Sequence, residues 1–226
     1  MTQQQIIIGL SGKKQSGKDT IVRYLYQWFQ NKYINEECKI YSFADALKSK
    51  ICIDVMGLTY EQCYGTDKQK NSLTHYKWDN LPDIIKIPYS STRGTGDIIS
   101  VKKGFMTARE IMQVVGTNIF RQYFDDSIWI SATFKQIKHD NCKFSLISDV
   151  RFPGEVDSII NNKGYIFRLL RNVCPLDSHE SETALDKYDW ISHHRIFEID
   201  NQNMSIEKQN EEITDLIEKI MEIEDR

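Results

Sequence analysis

The stretch Gly12-Lys13-Lys14-Gln15-Ser16-Gly17-Lys18-Asp19-Thr20 constrains this chain more than any other feature. It fits the G-x-x-x-x-G-K frame of a phosphate-binding loop, the P-loop. Gly12 and Gly17 permit backbone turns that aim successive N–H groups inward at an anion. Lys18 is placed to reach the β- and γ-phosphates of a nucleotide, and Lys14 adds a second cation within the loop. Such a loop needs a buried strand before it and a helix after it, whose N-terminus contributes partial positive charge. Both flanks are present. Ile6-Ile7-Ile8-Gly9-Leu10 reads as a short buried strand. Beyond the loop, Ile21, Val22, Leu25, Trp28 and Phe29 trace one apolar helical face. One position is irregular: Asp19 stands where the frame has Ser or Thr, and the hydroxyl arrives one place later at Thr20.

Apolar strands alternate with helical patterns along most of the chain, which predicts an α/β fold with a parallel central sheet and helices on both faces. Lys39–Phe43 is the second expected strand, and Ala44–Lys48 opens a helix. From about Gly65 to Lys103 the pattern lapses into a polar stretch containing Trp78, Pro82 and Pro88, too long for a simple connector and suited to a flap or a small hairpin insertion. Thr107-Ala108-Arg109-Glu110 is a capping box, with Met106 and Ile111 placed as its hydrophobic staple, and Gly116 should end or bend that helix. A helix from Ser127 to Ile137, a strand from Phe144 to Ser148 and a helix from Glu155 to Asn162 follow, the last with Gly164 as its C-cap. Tyr165–Leu170 and Arg195–Ile199 are further strands, separated by a second polar segment at about 172–190. The final helix, from about Ser205, carries Ile206, Ile213, Leu216, Ile217 and Ile220 on one face.

At 226 residues the chain suits a single domain with a sizeable core. Its formal net charge of −3 argues against a nucleic-acid coat, which would need a basic excess, but leaves room for a local basic pocket. No apolar run approaches the roughly 20 residues of a membrane span, and the polar start carries no signal-peptide pattern. Cys38, Cys52, Cys63, Cys142 and Cys174 are odd in number and without metal-ligand spacing, as expected of reduced thiols in the cytoplasm. His179-Glu180 and His193-His194 lack the partners of a zinc site.

Phosphoryl transfer asks for positioning, a magnesium ion and positive charge around the equatorial oxygens. Asp149 stands at the carboxyl end of an expected central strand, where α/β sheets place ligands, and could hold magnesium directly or through water together with Asp19 and Thr20. Val150 and Arg151 follow it, with no adjacent Glu of the kind that activates water in motor-type ATPases. That pattern favours transfer to a bound acceptor over steady hydrolysis. Arg109, Arg121, Arg151, Arg168 and Arg171 are candidate phosphate clamps, and Trp129 a candidate base platform or core residue.

Several blocks in order then resemble the phage-type deoxynucleoside monophosphate kinases, a branch of the P-loop kinases. They are Leu10–Thr20, Phe43–Lys48, Tyr64–Asn71, Arg109–Thr117, Asp149–Phe152 and Asp177–Glu182. The Asp-Thr ending of the loop is normal in that group. The resemblance implies a three-layer P-loop sandwich with an acceptor-side insertion at about 65–103 and a lid at about 172–190. It implies ATP- and Mg2+-dependent phosphorylation of a deoxynucleoside 5′-monophosphate to the diphosphate, for DNA synthesis, with no polymeric nucleic acid or membrane as partner and a homodimer left open. Gly12, Lys14, Gly17, Lys18, Asp19 and Thr20 would then contact phosphates. Lys48, Lys70, Arg121, Trp129, Asp149 and Arg151 would line the acceptor side, and Lys18, Arg121, Arg151 and Arg171 would carry the catalytic charge. Gln15 departs from the pattern, since some relatives have a basic residue there. Rival readings are a phosphomevalonate- or dephospho-coenzyme-A-type kinase, which shares loop and sheet, and a nucleotide-gated binding protein.

Overall fold

Strands that are apolar at successive positions, such as Ile6-Ile7-Ile8, need cover on both faces, and a parallel sheet between helix layers provides it. A computed structural model of the protein describes residues 5–92, 98–173, 183–190 and 193–224. They fall into two units, one formed by Met1–Phe43 with Ile130–Arg226 and the other by Ala44–Trp129.

The described elements of the first unit are β1 (Ile6–Gly12), α1 (Lys18–Lys32), β2 (Cys38–Tyr41), α2 (Ile128–Asp140, from Ile130 onward), β3 (Phe144–Val150), α3 (Pro153–Asn161), β4 (Tyr165–Leu169), β5 (Ile196–Ile199) and α4 (Ile206–Glu224). All strand pairs are parallel, in the order β2-β3-β1-β4-β5. This is the sandwich expected of a P-loop kinase. Alternation along each strand sorts the core. Ile6, Ile8 and Leu10 face α1 and α4 with Phe144, Leu146 and Phe167. Ile7, Ile147 and Ile166 face the other way, against Ile130 and Ile137 of α2 and Val156 and Ile159 of α3. The chain leaves β1 toward one side of the sheet and β3 toward the other. The carboxyl ends of these neighbouring strands therefore flank a topological switch point, the usual ligand position in such sheets.

Three sequence expectations shift here. Trp28 is only half-buried, its ring covered by the Lys32 ammonium 4.6 Å from the centroid. Ile206 is 57 % exposed, while Ile213, Ile217 and Ile220 are fully buried. The left-handed residue that ends α3 is Lys163, with φ 59°, and Gly164 follows it, its N–H donating to Ile159 O at 2.8 Å.

In the second unit, the helices Tyr60–Tyr64 and Asp67–Lys70 are each opened by a capping box, Thr59 with Gln62 and Thr66 with Gln69. The polar stretch beginning near Gly65 thus contains an ordered helix start that its lack of apolar period conceals. It also supplies Leu73–Lys77, which pairs antiparallel with Phe105–Thr107 just beyond it, and the antiparallel pair of Ser91–Thr92 with Ile98–Ser100. Trp78, from the same stretch, is fully buried in a core with Ile85, Ile111 and Val114. The capping box at Thr107 forms as expected. Helical structure then runs through Gly116 rather than ending there, widening into π-helical turns over Val114–Arg121. A side chain at Gly116 would meet Leu47 Cδ2 at 2.5 Å, so close packing accounts for this glycine. No described helix is long and apolar enough to cross a membrane.

Phe29 and Phe144 stack at 4.1 Å between α1 and β3, both fully buried. Phe144→Ala should therefore cost about 3–5 kcal/mol of unfolding free energy, measured by urea titration. In the second unit, burial pushes the Glu110 carboxyl up, but hydrogen bonds from Lys102, the Thr107 N–H and the Trp78 indole outweigh it and hold the group below its usual range. A carboxyl depressed in the folded state stabilises above its unfolded pKa, ~4.3 for glutamate, and loses that contribution as pH falls through the folded value. The Tm gap between wild type and Glu110→Gln should be widest near neutrality and close in acid; a gap constant from pH 7 to 3 would contradict this.

Candidate active site

The loop leaving β1 reaches α1 through three residues at positive φ: Gly12 at 150°, Gln15 at 60° and Gly17 at 105°. Gln15 adopts a left-handed conformation that non-glycine residues seldom hold, in an exposed loop next to a helix start. Lys18 is only 8 % exposed, and its ammonium folds back over the loop, donating to Gly12 O at 2.6 Å and Lys13 O at 2.8 Å. The loop is thereby drawn around a cation. Lys13 forms an ion pair with Asp186. Asp19 and Thr20 lie exposed on the first turn of α1, and Lys14 is half-buried.

Register brings a second strand end to this loop, since Ser11 of β1 lies opposite Val150 of β3. Asp149 accepts from Ser42 Oγ at 2.6 Å through Oδ2 and from Phe43 N at 2.7 Å through Oδ1, which fixes its carboxylate to the chain leaving β2. Arg151 follows, its backbone N–H held at 2.7 Å by Glu155, a carboxylate that also accepts from Phe152 N and caps α3. A cavity of about 220 Å³ opens where β1, β3 and β4 end, with Gly12, Lys13, Arg151, Arg168, Asp186 and Trp190 among its walls. Arg168 pairs with Glu198 on β5 and lies 4.5 Å from the centre of the Trp190 ring. The fold thus gathers Gly12, Lys14, Gly17, Lys18, Asp19, Thr20, Asp149 and Arg151 around one end of the sheet.

Arg171 is differently employed. Its Nε donates to Asn201 O at 2.9 Å and its Nη2 to Met204 O at 3.0 Å, so the guanidinium ties down the turn after β5.

The remaining expected site residues belong to the second unit. Lys48 sits 5.0 Å from the centre of the Tyr64 ring, whose hydroxyl donates to Asp45 at 3.3 Å. Burial pushes the Cys63 thiol up, while the ammonium groups of Lys48 and Lys70 both pull it down, which puts the two lysines within electrostatic reach of one atom. Arg109 donates to Asn71 and Asp67, joining two blocks that are far apart in sequence. Arg121 is 8 % exposed and donates to Asp126 at 2.9 Å. Trp129 is 7 % exposed, packs on Phe120, and gives its indole N–H to Gly116 O at 3.0 Å. That is the setting of a core tryptophan bracing the helical run that carries Arg121.

The family model of deoxynucleotide monophosphate kinases matches residues 52–190, more than half of the chain. A protein of Acanthamoeba polyphaga mimivirus, provisionally named a deoxynucleotide monophosphate kinase, is 32 % identical over 181 residues, 80 % of this chain and 82 % of its own. The chain belongs to the deoxynucleotide monophosphate kinase family. It is also 25 % identical to the deoxynucleoside-5′-monophosphate kinase of Escherichia phage T5, across 91 % of this chain and 95 % of that one. The family assignment makes the chain a phosphotransferase and sets aside the reading as a nucleotide-gated binding protein.

Asp149, Asp19 and Thr20 carry oxygen donors of the kind that Mg2+ would take, a hard cation that uses one or two carboxylates and completes its shell with water and substrate phosphates. Among the described residues no cluster of three or more acidic, His or Cys side chains converges on a point. The block Asp177–Glu182, Cys174 and residues 174–182 of the expected lid lie outside the described residues. Sequence reasoning passed over Asn201 and Gln209, which lie buried beneath the loop. Gln209 did leave a trace, as a polar residue one helical turn before Ile213 on the apolar stripe of α4. Asn201, at the end of a strand, left none.

Asp149→Asn should test the strand-end carboxylate cleanly. The amide can keep both bonds, its oxygen accepting from Phe43 N and its Nδ2 donating to Ser42 Oγ. The melting temperature should therefore hold while phosphoryl transfer falls on the order of 100-fold or more. Unchanged turnover would remove Asp149 from the active site.

Proposed function

We propose that this kinase transfers the γ-phosphoryl group of ATP to a deoxynucleoside 5′-monophosphate, giving ADP and the deoxynucleoside diphosphate, in the cytoplasm and in the supply of DNA precursors. The observation that carries the proposal is the Gly12–Thr20 loop. Its buried lysine is held by the loop's own carbonyls, beside Asp149 and Arg151 at the switch point of the sheet. A triphosphate entering the loop offers Lys18 charged acceptors in place of neutral carbonyls, which makes a stronger hydrogen bond. Backbone N–H groups of the turns and the N-terminus of α1 add positive charge without reorganisation.

Asp149, Asp19 and Thr20 would hold Mg2+, which when bound neutralises charge on the donor phosphates. Lys18, Arg121 and Arg151 supply the remaining positive charge for the transferred group, and Arg171 is assigned instead to the turn after β5. Lys48, Lys70 and Arg121 of the second unit and Arg151 of the first are the residues that would contact the acceptor, with Trp129 bracing Arg121. The proposed roles of residues 65–103 and 172–190 are closure over acceptor and donor, which excludes water.

The test is diphosphate formation from each of the four dNMPs and four NMPs with ATP and Mg2+. Turnover of at least one dNMP on the scale of known kinases, about 1–100 per second, is expected. Failure with every monophosphate would overturn the proposal. Lys18→Ala should lower turnover on the order of 100-fold or more with the fold intact; activity within threefold of wild type would sink the assignment of the loop.

A further inference from the structure

A loop with three positive-φ residues does not keep its shape unaided, and two buried amide side chains of the first unit lie directly beneath it. Asn201 is fully buried and Gln209 is 3 % exposed. Asn201 Nδ2 donates to Ser16 O at 2.8 Å and to Gln209 Oε1 at 2.8 Å, so both of its N–H bonds are used. Its Oδ1 accepts from the Arg171 N–H at 3.0 Å, and its own carbonyl accepts from Arg171 Nε. One side chain thus joins the loop, the chain leaving β4, the turn after β5 and the helix α4. The arrangement closes on Gly17, where an added Cβ would lie 3.6 Å from Asn201 Nδ2 and 3.7 Å from Gln209 Oε1.

We propose that Asn201, oriented by Gln209, is a positioning residue for ATP. It grips the Ser16 carbonyl from below and so fixes the peptides between Gln15 and Lys18 in the conformation that receives phosphate. The inference rests on the reading of Gly12–Thr20 as the ATP loop. The physical argument is one of satisfaction and geometry. A buried amide whose hydrogen bonds are all made rigidifies what it bonds, and a buried network of this kind loses more than one bond when a member is removed. Ser16 has no alternative grip through its side chain, whose buried Oγ has no hydrogen-bond partner among the described residues. The carbonyl is the handle.

Asn201→Asp is the sharp variant, because it keeps the shape and replaces both donated bonds by an oxygen facing two oxygens. ATP and dNMP dissociation constants are measured by calorimetry on the full chain, with Tm as the check of folding. Wild type should bind ATP-Mg. If it does not, the reading of the loop fails and not merely this inference. With wild type binding, Asn201→Asp should weaken ATP tenfold or more and leave dNMP within twofold. Gln209→Met, which removes only the orienting acceptor, should shift ATP in the same direction by about threefold. It carries the test by itself if Asn201→Asp does not fold. A merely structural role would lower Tm and reduce binding of both nucleotides alike. That result, or ATP affinity within twofold of wild type in a folded Asn201→Asp or in Gln209→Met when Asn201→Asp does not fold, would overturn the proposal.

Discussion

An ammonium group with little access to water must be surrounded by acceptors, and Lys18 finds them in the loop that it serves. Its bonds to Gly12 O and Lys13 O are possible only if the chain doubles back immediately after β1, and that return is what the positive φ of Gly12, Gln15 and Gly17 provides. The lysine and the loop therefore specify each other. Burying this cation without those carbonyls would cost several kcal/mol. The rest of the first unit is arranged to keep the pair in place. The strand that feeds the loop is central and covered on both sides, α1 is anchored through Phe29 on Phe144, and Asn201 holds the loop from beneath.

The same positions explain how a protein of formal net charge −3 can serve polyanionic substrates. Among the described residues, Lys13, Arg151 and Arg168 line one cavity together with one acid, Asp186. Field within a cleft depends on the charges that line it, not on the total. Acidic residues elsewhere, such as those along α4, contribute to the overall sign.

What could be read in the sequence follows from how local each cause is. The strands of the first unit announce themselves because parallel strands buried on both faces are continuously apolar, as in Ile6-Ile7-Ile8. The loop, the capping box at Thr107 and the stripe of α4 are likewise local patterns. The second unit is less legible. Its small sheets pair strands of two to five residues, and Trp78 is buried by partners as distant as Glu110, to which its indole N–H donates at 3.3 Å. Nothing in the sequence around Trp78 encodes that partner. The arginines show the same limit. Sequence grouped Arg121, Arg151 and Arg171 by residue type, whereas Arg171 spends its guanidinium on two backbone carbonyls that only the turn after β5 brings within reach.

The reading as transfer rather than hydrolysis gains most from a carboxylate that is occupied elsewhere. In a hydrolase, a second acid beside the strand-end aspartate would activate water. Here Val150 fills that position and is 1 % exposed. The next acid in sequence, Glu155, is 3 % exposed and accepts from Arg151 N and Phe152 N, so its charge is spent on the start of α3. Asp149 is itself fastened by Ser42 and Phe43. Of the acids nearest in sequence to the strand end, Glu155 thus holds the backbone that presents Arg151 and Asp149 holds the chain leaving β2. A phosphate acceptor brings its own nucleophilic oxygen, already ionised at neutral pH, and needs no such base. The chemistry then reduces to aligning two phosphates and stabilising charge between them, the task that a rigid cationic loop performs well.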